Sequence, residues 1–216
     1  MIKSSLLPLT LAGSLLALSG CVRSLPPLER YRLVPMGPAA ATGSGAPARP
    51  VARHETPAAA LATIRVEPYV TEGIYADPQI VYRIGESRYG AYPNREWALP
   101  LSTMLADMTA EVLRATPGMR LRVTGSAEGG RPDFIWRGAV HRFEEVNRGE
   151  QVLTAVHLEG SLLRASDDSL LWQGIARGER PVTGETMEAV VAALSRLGAD
   201  AVRSMVRDAV PAIRPP

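Results

Sequence analysis

The chain contains one cysteine, Cys21, in the run Leu18-Ser19-Gly20-Cys21. A thiolate is the strongest nucleophile among the side chains, so a cysteine beside small residues is equipped to take up a group from a donor. With no second cysteine, no internal disulfide can form. The other candidate ligands are His54, His141 and His157. His54 lies in a Pro- and Ala-rich stretch with no fixed partners. His141 and His157 fall in consecutive strand-like runs and share a polar side with Glu145 and Glu159. Two imidazoles need a third and a fourth ligand to hold zinc. No spacing here supplies them, so the histidines read as exposed sheet residues, with no metal and no cofactor expected. Asp167-Asp168, between two serines, reads as a turn and not as a catalytic dyad. The chain has no G-x-S-x-G elbow, Walker loop or H-E-x-x-H helix. The expectation is a protein without catalysis.

The residues before Cys21 explain its place. Lys3 is the only lysine, and Leu6 to Leu18 is apolar apart from Pro8 and small residues. That run falls short of the roughly 20 residues a bilayer span needs and has the proportions of a cleavable export signal. Leu-Ser-Gly-Cys resembles the bacterial lipobox. In that motif the thiol receives a diacylglyceryl group, the chain is cut between Gly20 and Cys21, and the new amino terminus is acylated. One acyl chain gives marginal membrane binding at about 0.8 kcal/mol per buried CH₂, while three would make the anchor effectively permanent. Residues 1–20 are therefore expected to leave as a signal peptide, and Cys21 to carry the lipid.

Composition narrows the rest. The mature chain of about 195 residues suffices for one domain with a core and a tether. Of 24 basic residues all but Lys3 are arginine, dispersed among 22 acidic ones, so no nucleic-acid footprint is visible. No second apolar run approaches spanning length.

From Val22 to about Leu61 the chain is rich in Pro, Ala, Gly and Arg, too poor in apolar side chains to offset its ordering entropy. One island, Tyr31-Arg32-Leu33-Val34, reads as a strand. If it joins the sheet, about nine residues link Cys21 to the domain, a reach of roughly 30 Å; if not, the tether runs about 40 residues and at most about 130 Å. The first arrangement is the expected one, which makes 35–61 a long surface loop.

The folded body is expected over 62–216. Thr63–Glu67 and Gln79–Ile84 read as strands. Tyr89 to Trp97 is expected to cross into a helix capped by Asn94, with Trp97, Leu101, Met104, Leu105, Met108 and Val112 on its apolar face and Thr116-Pro117 at its end. Leu121–Val123, Asp133–Val146, Gln151–Arg164 and Leu170 to about Arg180 read as strands. A three-residue loop, Asn147-Arg148-Gly149, would place Val146 opposite Glu150, Val140 opposite Val156 and Phe134 opposite Leu162. In that register His141 lies opposite Ala155 and His157 opposite Ala139. The last helix runs from Glu185 to Ala209 with a sustained apolar stripe, on which Gly198 permits close approach. The order implies an α+β fold, with two amphipathic helices on one face of a mainly antiparallel sheet. Trp97, Trp136 and Trp172 read first as core. Tyr82, Tyr89 and Tyr92, with Trp97, are the candidate partner or lipid surface, since tyrosine brings contact area at low entropic cost.

Taken together, the lipobox, Tyr31-Arg32-Leu33, Ile64-Arg65-Val66-Glu67-Pro68, Ile80-Val81-Tyr82-Arg83, the segment around Trp97, the Phe143-Glu144 strand and the alanine-rich last helix resemble the ABC-type transport auxiliary lipoproteins, the paraquat-inducible lipoproteins among them. The resemblance implies a periplasmic subunit held at the outer membrane by acyl chains on Cys21. Val22 after the cysteine is what members sorted to that membrane show. It also implies partnership with MCE-domain proteins or the periplasmic parts of an ABC transporter that moves lipids between membranes. Self-association is left open, and the insertion 35–61 is longer than the family leads one to expect. A lipoprotein that assembles the envelope or activates cell-wall enzymes is the alternative.

Overall fold

The structure is a computed structural model that describes residues 26–34, 62–117, 119 and 121–213. Cys21, the signal segment and most of the insertion lie outside that set. Among the described residues nine strands and two long helices form an α+β fold. The strands are β1 (Glu29–Tyr31), β2 (Ala62–Val66), β3 (Val70–Thr71), β4 (Gln79–Ile84), β5 (Arg88–Trp97), β6 (Leu121–Gly125), β7 (Phe134–Arg148), β8 (Gln151–Arg164) and β9 (Leu170–Pro181). The helices are α1 (Leu101–Ala115) and α2 (Met187–Ala209).

The longest strand, β7, organises the sheet. Along one edge it pairs antiparallel with β8, which pairs antiparallel with β9. Along the other edge it pairs in parallel with three short strands in succession: β2 at Phe134–Trp136, β3 at Ala139–Val140 and β4 at Glu145–Asn147. The sheet therefore divides into two wings, β2–β6 and β4–β5–β1. The longest ladders are antiparallel, as expected, while the wings join β7 in parallel. The island before the insertion does enter the sheet. β1 pairs in parallel with Arg95–Trp97, and Leu33 is only 3% exposed within the core.

Two expectations need correction. The segment Tyr89 to Trp97 does not cross into a helix at Asn94; it is strand throughout, and α1 begins at Leu101 with Pro100 in the capping position. A residue before proline is disfavoured in the helical region, so Leu99 cannot continue a helix into Pro100. Pairing with β4 and β1 satisfies the β5 backbone instead, and the Trp97 amide donates to the Pro78 carbonyl at 2.7 Å.

The β7–β8 connection is also shorter than expected. Arg148 lies opposite Gln151, so Gly149-Glu150 is a two-residue turn, with Gly149 at φ +59°. Val146 then faces Leu153 rather than Glu150. A one-residue change in a hairpin inverts which face every side chain meets. It puts Phe143 on the apolar side, opposite Val156. A bulge at His141 inverts the parity again. Past it Val140 meets Leu158 and Phe134 meets Arg164, and Phe134, Trp136 and Val140 stay on the apolar face.

Both helices cover that face. The α2 stripe, Met187, Val190, Val191, Leu194, Leu197, Ala201, Val202, Met205 and Val206, is buried throughout. The Thr186 hydroxyl accepts the Ala189 amide at 3.3 Å and caps the helix. Between α1 and β7, the buried Tyr69 hydroxyl pairs with Thr109 at 2.8 Å and accepts the Trp136 indole N–H at 3.4 Å. Trp97 meets Phe143 edge to face at 5.9 Å, and the Phe143 ring lies against Gly198. A Cβ at 198 would sit 3.2 Å from that ring. Removing a helical glycine recovers about 1 kcal/mol of propensity, while overfilling a core costs about 1–3 kcal/mol. Gly198→Ala is therefore expected to be close to neutral and Gly198→Val to lower stability by about 1–3 kcal/mol in urea denaturation.

Candidate interaction surface

The four aromatic residues singled out in the sequence do not form one surface. Tyr82 and Tyr92 share one face of the β4–β5 hairpin, with ring centroids 4.8 Å apart. The Tyr82 ring lies directly over Gly90, its cross-strand partner, where any side chain would collide with it. Tyr92 donates to both oxygens of Glu145 at 3.0 Å, Asn147 donates to Glu145 at 2.7 Å, and Arg95 sits 5.1 Å over the Tyr92 ring. Burial and then the Glu145 charge push the Tyr92 hydroxyl well above its ordinary pKa. Tyr89, opposite Arg83, points to the other face and is 49% exposed. Trp97 is 5% exposed and belongs to the core, which removes it from the candidate surface. What remains for a partner is the exposed hairpin tip, with Ile84 beside half-buried Tyr82 and Tyr92 on one face and Tyr89 on the other.

The site the sequence did not reveal is buried. Glu144 of β7 has no exposed surface and accepts from Arg83 Nε at 2.9 Å and from Arg142 Nε and Nη2 at 3.1 Å. The Tyr75 hydroxyl donates to its other oxygen in a short hydrogen bond. Burial works to lower the Arg83 pKa, but the hydrogen bond and charge of Glu144 outweigh it, and the net shift is upward. Arg83 also donates to the Gly85 carbonyl at 2.8 Å. One carboxylate thus fixes the Gly73–Tyr75 turn and the β4–β5 hairpin to β7. With both its oxygens engaged by donors, Glu144 is a structural anchor rather than a base. The only sequence signal was an arginine and a glutamate at positions where strands otherwise carry apolar residues.

The histidines do come together, by a different register from the one expected. His157 lies opposite Arg142, His141 is the bulge residue, and the rings are 4.8 Å apart. His141 Nε2 meets Glu159 at 3.0 Å, and Gln173 donates to the other Glu159 oxygen. Hydrogen bonds from Gln173 and then His141 lower the Glu159 pKa. His157 Nε2 is shielded and has no hydrogen-bond partner. Among the described residues no group of three His, Cys, Asp or Glu side chains could hold a metal ion. Asp167 accepts from the amide and hydroxyl of Ser169 and Asp168 takes φ +54°, which makes this pair a turn, as read from the sequence.

Two outcomes test these assignments. Glu144→Ala takes the paired carboxylate from buried Arg83, while Arg142 keeps Glu179 at 3.6 Å, and is expected to cost about 3–5 kcal/mol by chemical denaturation; Arg83→Met with Glu144→Leu should recover much of it. Burial, then the nearby His141 and the Arg177 and Arg142 guanidinium groups, lower the His157 pKa, with Glu159 opposing. The unfolded chain therefore takes up a proton near pH 6.5 before the folded one does, and stability falls as pH drops through that value toward the lower folded pKa. The midpoint of thermal unfolding should drop from pH 7.5 to 5.5, and by less in His157→Gln.

The described part of the chain has the fold of solved proteins. Protein XCC0632 from Xanthomonas campestris superposes with a TM-score of 0.62 at 20% identity, over 70% of this chain and 85% of that one. An uncharacterized protein superposes with a TM-score of 0.64 at 17% identity, over 85% of this chain and 99% of that one. At such identities the likeness speaks for the fold alone. No curated protein sequence matches. The family described as ABC-type transport auxiliary lipoprotein component, an auxiliary part and not an enzyme by that description, matches residues 45–206. The match spans the insertion's end, strands β2 to β9 and nearly all of α2, leaving β1 outside it, and the chain belongs to that family.

Proposed function

We propose that the protein is a non-catalytic tethering subunit held at the periplasmic face of the outer membrane by acyl chains on Cys21. It would dock the MCE-type or ABC-type periplasmic components of a system that moves lipids between membranes. The observation that carries this reading is the pairing of β1 with β5. The sheet begins at Glu29, eight residues after Cys21, so a lipid on that cysteine would hold the sheet edge within about 29 Å of the bilayer surface. Such a short leash supports a module that bridges rather than one that roams. The exposed β4–β5 hairpin tip, with Ile84 and Tyr89 on opposite faces flanking Glu86 and Arg88, is the surface proposed for the transporter component.

Cys21→Ala behind an ordinary cleavable export signal in place of residues 1–20 is expected to release a folded protein from the membrane fraction and to abolish transport, whereas His141→Ala leaves transport intact. Full transport by the released protein would defeat the tethering role. Tyr89→Ala is expected to leave anchoring unchanged and to lower the yield of cross-links to the transporter component in intact envelopes.

A further inference from the structure

We infer that the end of the sheet where β7 starts and β8 stops is a binding site for an anionic amphiphile, a phosphate or carboxylate headgroup joined to an apolar chain. A half-open cavity of about 910 Å³ lies there, within the range of small-molecule sites. Three guanidinium groups line it from separate segments: Arg65 of β2, Arg131 of the β6–β7 loop and Arg164 at the end of β8. Phe134, Leu171 and the turn after α2 supply an apolar wall.

The charge at this opening is not balanced from within. Arg164 has its own partners, Asp167 at 3.3 Å and the Ser169 hydroxyl at 3.0 Å. Arg65 and Arg131 have no ion pair or hydrogen bond among the described residues, and Arg65 Nε is shielded from water with nothing to donate to. The one acidic residue in the wall, Asp133, accepts the Thr63 amide through Oδ2 at 2.7 Å, and its negative charge stays at the opening. Against three guanidinium charges stand the carboxylates of Asp133 and Asp167, so the side chains leave about one net positive charge, and the end of α2 offsets roughly half of it at most. An unpaired, desolvated guanidinium donor is costly unless an acceptor arrives, and its planar fork matches the two oxygens of a phosphate or carboxylate. A bare anion would satisfy the arginines and leave the apolar wall wet. A headgroup with the first carbons of a chain satisfies both.

This inference goes beyond tethering and does not depend on it, because it is read in purified protein with no transporter present. The test is calorimetric titration of residues 21–216, the chain without its expected signal peptide, carrying Cys21→Ala, with three probes: dodecyl phosphate, inorganic phosphate and dodecyltrimethylammonium, each below its micelle concentration. Dodecyl phosphate is expected to bind saturably at one site. Arg65→Ala and Arg131→Ala should each weaken it about tenfold or more. Arg131 is on an exposed loop, so its loss does not threaten the fold. Arg137→Ala, paired with Glu67 outside the cavity, should change nothing. Inorganic phosphate binding as tightly as dodecyl phosphate would assign the site to free anions and overturn the amphiphile. Equal binding of dodecyltrimethylammonium, or affinity unmoved in both arginine variants, would overturn the site itself.

Discussion

One extra residue in β7 keeps a fifteen-residue strand apolar on a single side. Without the bulge at His141, the two-residue turn at Gly149-Glu150 would send either Phe143 or the set Phe134, Trp136 and Val140 to the wrong face. With it, all four meet α1 and α2, and β8 matches them with Val156, Leu158 and Leu162. Every other element takes its position from that strand. β2, β3 and β4 line up along its free edge, the helices pack on its apolar face, and Glu144 secures the far wing from the opposite face.

The elements with an uninterrupted period were legible. The α2 stripe, the span of β8 and the Thr116-Pro117 stop follow from spacing and backbone chemistry alone. The errors fell where a local pattern fits two structures. Trp97 lies at helical spacing from Leu101 and Met104, and also ends a strand, and only pairing with β4 and β1 decides between them. The hairpin register failed because a bulge changes the parity without changing composition, so a three-residue loop and no bulge accounted for the same apolar set.

The candidate sites were less legible, for a different reason. Glu144 was visible as a charged residue in a strand, but its partners come from Tyr75 and Arg83, about 60 to 70 positions earlier, and no short-range pattern joins them. The arginines around the cavity are likewise spread from residue 65 to residue 164 in a chain rich in arginine, so none stood out. The tyrosines were identifiable as a group because they are close in sequence. That closeness is also why they divide, since neighbours on a strand alternate between faces.

The three-residue β1 has a mechanical consequence. In the proposed arrangement any pull on the lipid reaches the body through Glu29–Tyr31 before it reaches the long ladders. A strand held by so few pairings is the first to peel under load. Its loss, once Leu33 also leaves the core and the Val34 amide leaves Ser195, would turn a leash of under 30 Å into one of about 130 Å, with the other eight strands untouched. The edge next to the insertion is thus placed to act as a slack-releasing clasp, setting how far the body can travel from the bilayer under force.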